Sequence, residues 1–158
     1  MAQSSALKTI AKAGIITGAL DGLAAALLFS IPSGKDPMIV FRFIASGVFG
    51  KEAFAGGVPM ALWGGLFHFI IATGWTLLFF LAYPRITLLS KSKIATAIFY
   101  GFFVWLMMNL VVVPLSNVTM AGSREISGII KGVVVLILCI GLPNTWIISK
   151  YHQQQATK

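Results

Sequence analysis

The segment Gly18–Phe29, with the sequence GALDGLAAALLF, indicates the fold because it resembles the interior of a membrane-spanning helix. It lies in an apolar stretch, residues 11–31, that is long enough for one crossing, since about 20 apolar residues span about 30 Å of hydrocarbon. Its unusual member is Asp21, a carboxylate near the middle of the predicted crossing. We predict a permanent helix rather than a cleaved signal peptide, because the apolar region is long and a poor cleavage site follows it.

The composition is that of a membrane protein. Of 158 residues, 58 % are apolar and 10 % are charged, whereas an ordinary soluble domain carries about 25 % charge. The net charge of +8 comes from Lys and Arg that mostly flank apolar blocks, as in membrane proteins. There is no basic stripe or aromatic reader motif, so we predict no nucleic-acid partner.

Four stretches are long enough to cross a bilayer, which predicts an all-α integral membrane four-helix bundle. We treat residues 1–158 as a single transmembrane domain. Pro114 is expected to end or kink the third span, and Pro143 with Asn144 to break the fourth. The polar tail, residues 150–158, is expected to be frayed, with a solvated His152. The predicted spans cover residues 11–31, 60–83, 94–115 and 129–149.

A shorter apolar segment, residues 37–49, lies between the first two spans. Asp36 followed by Pro37 is a favourable helix start, but the helix would cover only about 18 Å, too short to cross. We expect an amphipathic helix with Arg42 and Ser46 on one side. It either lies in the membrane plane or re-enters it, or it simply caps the bundle.

The distribution of basic residues predicts the orientation. With four spans, seven Lys and Arg share the side of the termini and five lie on the other side, which favours cytoplasmic termini by a modest margin. The first group is Lys8, Lys12, Arg85, Lys91, Lys93, Lys150 and Lys158, and the second is Lys35, Arg42, Lys51, Arg124 and Lys131.

Helical periodicity predicts that Asp21 is turned inward. At 100° per residue it shares a face with Gly14 and Gly18, and Gly22 completes a G-xxx-G-xxx-G series. Such faces let helices approach closely in lipid. We therefore expect a helix-packing surface, and a possible homo-oligomer through the Gly14/Gly18/Gly22 face, with the lipid bilayer around the leucines.

Four polar residues on the predicted inward faces suggest a polar track. Lys131 would lie at its mouth, His68 and Asn109 next, and Asp21 at the bottom. An intramembrane acid costs about 2.5–3.5 kcal/mol on insertion scales and often serves proton-coupled transport. The alternatives are structural: Asp21 can fix helix register, His68 can hydrogen-bond across helices, and Lys131 can extend to the interface.

Sequence motifs give no sign of enzymatic chemistry. There is no phosphate-binding loop, no G-x-S-x-G and no H-E-x-x-H, and the four acidic residues show no spacing for paired-carboxylate catalysis. The single cysteine, Cys139, is read as a small buried residue. We predict no enzyme activity, no cofactor and no metal.

Three stretches together resemble a known group of proteins: FRFIASGVFGKEAFAGG (41–57), GLFHFIIATGWTLLFFLAYPR (65–85) and YGFFVWLMMNLVVVPLS (100–116). They are similar to the YagU-like family of small bacterial inner-membrane proteins. The resemblance implies a bacterial inner-membrane location and a multi-span helical fold, and it assigns no reaction or site residue.

Two functional hypotheses follow. The first is proton-linked transport or permeation of an unidentified solute by an oligomer, with the acid of span one as the proton site. The second is a non-transporting module that serves assembly, partner binding or membrane structure.

Overall fold

The protein is built from helices, four of which can cross a membrane. The computed structural model describes residues 5–30, 32, 34–86, 91–118 and 125–157, and no strand occurs among them. By length and composition, the four candidate spans are Ala6–Leu28 (span one), Gly57–Ala82 (span two), Lys93–Leu115 (span three) and Ile126–Ala156 (span four). The predicted all-α membrane fold is therefore confirmed for the described residues.

The individual helices follow the spans closely. Two of the spans begin at serine caps: Ser5 Oγ accepts from the Lys8 N–H at 3.3 Å, and Ser92 Oγ from the Ala95 N–H at 3.4 Å, which satisfies free N–H groups at each helix start. Tail residues up to Ala156 are helical, so the prediction of a frayed tail is wrong for them. The helices are α1 Ala6–Ala25, α2 Met38–Phe49, α3 Gly57–Ala82, α4 Lys93–Met107, α5 Val113–Leu115, α6 Ile126–Leu136 and α7 Leu142–Ala156.

A π-helical turn precedes a proline in three of the spans. The turns are Ala26–Ser30, Met108–Val112 and Ile137–Gly141, and Pro32, Pro114 and Pro143 each follow two residues later. A proline lacks the N–H of a regular helix, and its ring clashes with the carbonyl four residues earlier. The wider turn relieves that clash.

The outcome differs between the two prolines for which we made predictions. Span three ends at Leu115, one residue after Pro114, as expected. Span four continues through Pro143 to Ala156, so the predicted break at Pro143 and Asn144 does not occur.

Span one packs between span two and span four, and span three packs against span four. Spans three and four approach each other closely at two glycines. A Cβ on Gly101 would lie 2.5 Å from the Cα of Ile137, and one on Gly141 would lie 2.1 Å from the carbonyl oxygen of Ala97. An apolar core fills the half of the bundle where span one begins and span four ends, which we call the termini end. The opposite end, where α2 lies, is the loop end.

Helix α2 lies across span two at the loop end. Its Phe41 ring lies 6.2 Å from the His68 ring, and its Phe49 ring lies 6.1 Å from the Trp63 ring, so both ends of α2 contact one short part of span two. Asn117, just after span three, donates to the Val48 carbonyl at 3.1 Å. Helix α2 therefore caps spans one to three, and Met38, Phe43 and Val48 are apolar residues exposed on it.

The start of α2 is held by Asp36. Its carboxylate accepts from the Met38 N–H at 2.9 Å and pairs with Arg42 at 2.8 Å. Arg42 also donates to the carbonyl of Phe54, in the 3₁₀ turn Gly50–Phe54 after α2. The Asp36 carboxylate binds the first N–H of the helix as expected, but the N-cap position is occupied by Pro37 rather than by Asp36. The Arg42 side chain ties together the two ends of the segment.

Candidate functional site

Asp21 of span one and His68 of span two form a polar pair between the spans. Asp21 Oδ2 lies 3.9 Å from His68 Nε2, and the two side chains are only 16 % and 11 % exposed. His68 Nε2 also lies 2.8 Å from the carbonyl oxygen of Gly18. Because a carbonyl oxygen only accepts hydrogen bonds, Nε2 carries a proton and donates it to Gly18.

The glycine series of span one makes this pairing possible. A Cβ on Gly22 would lie 3.1 Å from His68 Nε2, and one on Gly18 would lie 2.7 Å from the Phe69 ring. A Cβ on Gly14 would lie 2.7 Å from Thr73 Oγ1. The lack of side chains at these positions lets span two approach span one closely, as the predicted helix-packing role of the series requires.

The same contacts show where this glycine face points. It packs against Phe69, Ala72 and Thr73 of span two within one chain. The contact that we expected a second copy to make is therefore made inside the chain, and the face is not open to an oligomer partner.

Aromatic rings enclose the pair on two sides. The His68 ring meets Phe41 of α2 at 6.2 Å and Phe69 at 5.8 Å, both edge to face. At 1.5 Å per residue, Asp21 lies about 22 Å along span one from Ala6 and about 10 Å from Leu28, so the pair lies within the predicted hydrocarbon region.

The other two residues of the predicted track, Asn109 and Lys131, have different surroundings. The Asn109 amide donates to the Trp105 carbonyl of its own helix at 2.7 Å, and Lys131 is exposed. The buried face of span three instead carries Tyr100 and Val104, and Asn109, five residues past Val104, is rotated about 140° from it.

Polar residues do extend from the pair, but toward the termini end. Thr17 Oγ1 lies 3.5 Å from Thr76 Oγ1, and Thr76 donates to Asn144 Oδ1 at 3.1 Å. Thr145 and Ser149 continue the series along span four. We call these five fully buried residues, Thr17, Thr76, Asn144, Thr145 and Ser149, the polar column.

Two buried atoms of the column have no hydrogen-bond partner among the described residues. They are Asn144 Nδ2 and Thr145 Oγ1. Such orphan groups are rare, because each costs about 1–3 kcal/mol. A polar guest such as water would satisfy both.

The sequence carried a signal for the column that we did not use. Thr9, Thr17 and Asp21 fall on one stripe of span one with Ala13, at steps of four residues. This signal is ambiguous, because a threonine hydroxyl can bond to the backbone of its own helix, as Thr17 does to the Ala13 carbonyl at 2.9 Å. A threonine on such a stripe therefore does not by itself indicate a partner on another helix.

Within the part of the chain that the structure describes, no group of three or more His, Cys, Asp or Glu side chains could hold a metal ion. The pair offers one imidazole and one carboxylate, which can hold and exchange a proton.

Compared with known proteins, the chain matches no protein-family model, no curated protein and no solved structure. The YagU-like resemblance therefore stays a prediction from the sequence pattern. The four candidate spans define the class: a multi-pass, all-α membrane protein.

Proposed function

We propose that the protein is a proton-linked transport or permeation protein, with the Asp21–His68 pair as its proton-binding site. The observation that carries the proposal is the 3.9 Å approach of Asp21 Oδ2 to His68 Nε2 inside the bundle. Ionisable residues at such a depth are costly to insert, and they most often mark proton or substrate pathways.

The geometry suggests how one proton would be held. In the described arrangement the Nε2 proton is donated to the Gly18 carbonyl, with the Asp21 carboxylate just beyond hydrogen-bond distance. A small rotation of Asp21 would bring the carboxylate into contact with the same proton. Binding a second proton at the carboxylate would cancel this attraction, so occupancy by protons would control how tightly spans one and two are held together.

The polar column would connect the pair to the termini end. Thr17 lies one helical turn from Asp21, and the hydrogen bonds through Thr76 reach Asn144 of span four. With water satisfying Asn144 Nδ2 and Thr145 Oγ1, these groups would form a relay of donors and acceptors.

Helix α2 would control access from the loop end. Phe41 covers the His68 ring, so the pair is closed on that side, and displacement of α2 would open it. Alternating exposure of one site to the two sides is the common requirement of transporters.

A solute path would need more room than one small bundle provides, so we propose an oligomer. Because the glycine face is filled by span two, the contact between copies would use an exposed face. We further propose a bacterial inner-membrane location with cytoplasmic termini, on the basic-residue distribution and the YagU-like resemblance, and a function without a chemical conversion of the solute.

Flux measurements in vesicles test the proposal. Reconstituted protein is given a pH gradient and a panel of cations and small metabolites, and internal pH is followed with a dye. We expect Asp21→Asn to abolish pH-driven flux, and His68→Gln to keep the fold but change the pH dependence. The matched control is Glu52→Gln, which removes an exposed acid at the loop end. Unchanged flux in a folded Asp21→Asn variant would exclude the pair as the proton site.

A second candidate function is a non-transporting membrane module, and the hydrogen bond from His68 to Gly18 favours it. This bond locks spans one and two in register, which is a sufficient structural reason for a histidine there. In that case the protein would be a monomer in lipid-like detergent, the wild type would give no flux with any solute, and Asp21→Asn would alter only stability.

A further inference from the structure

A basic cleft lies at the termini end, between the first turns of span one and the last turns of span four. It encloses about 440 Å³. Lys8 and Lys12 line it from span one, and Trp146, Lys150, Tyr151 and Gln154 from span four. The lysines are exposed at the mouth of the cleft, and Trp146 lies one helical turn deeper than Lys150.

No Asp or Glu side chain lies at this end of the bundle to balance the charge. The chain has four acidic residues. Asp21 is inside span one, and Asp36, Glu52 and Glu125 lie at the loop end. A further cation is close, because Lys93 Nζ lies 5.9 Å from the centre of the Trp146 ring. The cleft is therefore a concentrated positive site that favours an anionic occupant.

The position of the cleft selects the kind of anion. Span one begins and span four ends here, so the cleft lies where the bilayer headgroups meet the hydrocarbon region. Trp and Tyr prefer this level, and Trp146 is 48 % exposed. The cleft has a basic mouth and a deeper apolar wall, and a phospholipid fits both. Its phosphate would lie among the lysines and its acyl chains along Trp146 and Ile147.

We propose that this cleft binds the phosphodiester headgroup of an anionic phospholipid, with Lys8, Lys12 and Lys150 as the cationic contacts. Basic pockets between transmembrane helices commonly hold such headgroups. The proposal is independent of transport, because it involves neither Asp21 nor His68.

Lipid titration of the whole protein in neutral detergent provides the test. Short-chain phosphatidylglycerol is compared with phosphatidylcholine of the same chains, and bound lipid is counted by native mass spectrometry. We expect saturable binding of the anionic lipid only. The triple variant Lys8→Gln/Lys12→Gln/Lys150→Gln should weaken binding by roughly fivefold for each lysine removed.

The control variant removes the same charge at the other end. It is Lys35→Gln/Lys51→Gln/Lys131→Gln, in which all three lysines are exposed. Equal loss of binding in both triple variants would show that only net charge matters, and would overturn the site.

Inorganic phosphate serves as the competing probe. We expect it to leave lipid binding unchanged at equal concentration, and full displacement by phosphate would show that the cleft takes a free anion rather than a lipid. If the triple variant fails to fold, Lys12→Gln and Lys150→Gln are measured singly, and affinities within twofold of the wild type in both would overturn the proposal.

Discussion

The carbonyl oxygen of Phe41 lies directly over Gly64, at a position where a Cβ would stand 1.8 Å from it. This contact joins α2 to span two with no space for a side chain. It brings the Phe41 ring onto His68, so the position of α2 and the enclosure of the pair depend on one glycine.

The Gly64–Phe41 contact predicts different effects for two neighbouring glycines. Gly64→Ala forces the backbones of α2 and span two apart and should lower the free energy of unfolding by about 1–3 kcal/mol or more. Gly65→Ala is the control, because nothing lies within 4 Å of its would-be Cβ, and it should be neutral or stabilising by about 0.5–1 kcal/mol. Thermal unfolding in detergent measures both, and equal effects would contradict the described position of α2.

The Asp21–His68 pair predicts energetic coupling between spans one and two. His68→Ala leaves the acid without its partner and should cost more stability than Asp21→Asn. In a double-mutant cycle, the two changes together should cost less than their sum by about 0.5–3 kcal/mol. Denaturant unfolding of the four proteins gives the coupling, and strict additivity would mean that the pair does not interact.

The polar column predicts that stability and flux can be separated at Asn144. Asn144→Leu removes an orphan N–H but also the acceptor of Thr76, so we expect a change in stability within about 1 kcal/mol. If the column is a relay, the variant should lose pH-driven flux while remaining folded.

The control for Asn144 is Asn109→Leu, in a residue whose amide bonds to its own helix. It should keep flux near the wild-type value. Flux that survives Asn144→Leu, or that is lost equally in both variants, would argue against the polar column as a proton relay.

The end of span four predicts a stability contribution from His152. Its ring stacks on Tyr83 with centres 5.5 Å apart, and its Nε2 lies 3.3 Å from the Phe80 carbonyl oxygen. His152→Ala should lower the free energy of unfolding by about 1 kcal/mol, the usual contribution of one hydrogen bond.

The neighbouring Gln153 is exposed, and Gln153→Ala should have no measurable effect. Amide hydrogen exchange gives a second measure, since His152→Ala should raise exchange near the end of span four while Gln153→Ala should not. Rapid exchange there in the wild type would contradict the packed tail.

The inward and outward faces of spans one and two could be predicted because both helices are regular around Asp21 and His68. On a regular wheel Leu66, Ile70, Leu77 and Leu81 lie on the side of span two opposite His68, and all four are exposed. Asp21 and His68 were both expected to face inward, and they meet. A constant 100° per residue gives the correct face as long as no turn is irregular.

Spans three and four could not be predicted in the same way. Asn109 lies within a π turn, and Asn144 follows one. Each π turn adds an extra residue to the helix and rotates everything after it by roughly 100° relative to a regular wheel. Asn109 was expected to face inward because the two sides of span three differ little in polarity, although it lies about 140° from the buried Val104 even on a regular wheel. Asn144, which follows a π turn, was expected only to break the helix and was not recognised as buried.

The sequence alone was enough to predict the membrane-spanning fold, the four spans, the short helix between the first two and the glycine face of span one. These depend on apolar length and on local periodicity, which are properties of single segments. The packed structure was needed to show that His68 donates to Gly18, that the polar column extends toward the termini end, and that lysines from both ends of the chain share one cleft. Such contacts depend on helix register and on π turns, which are set when segments distant in the chain pack together.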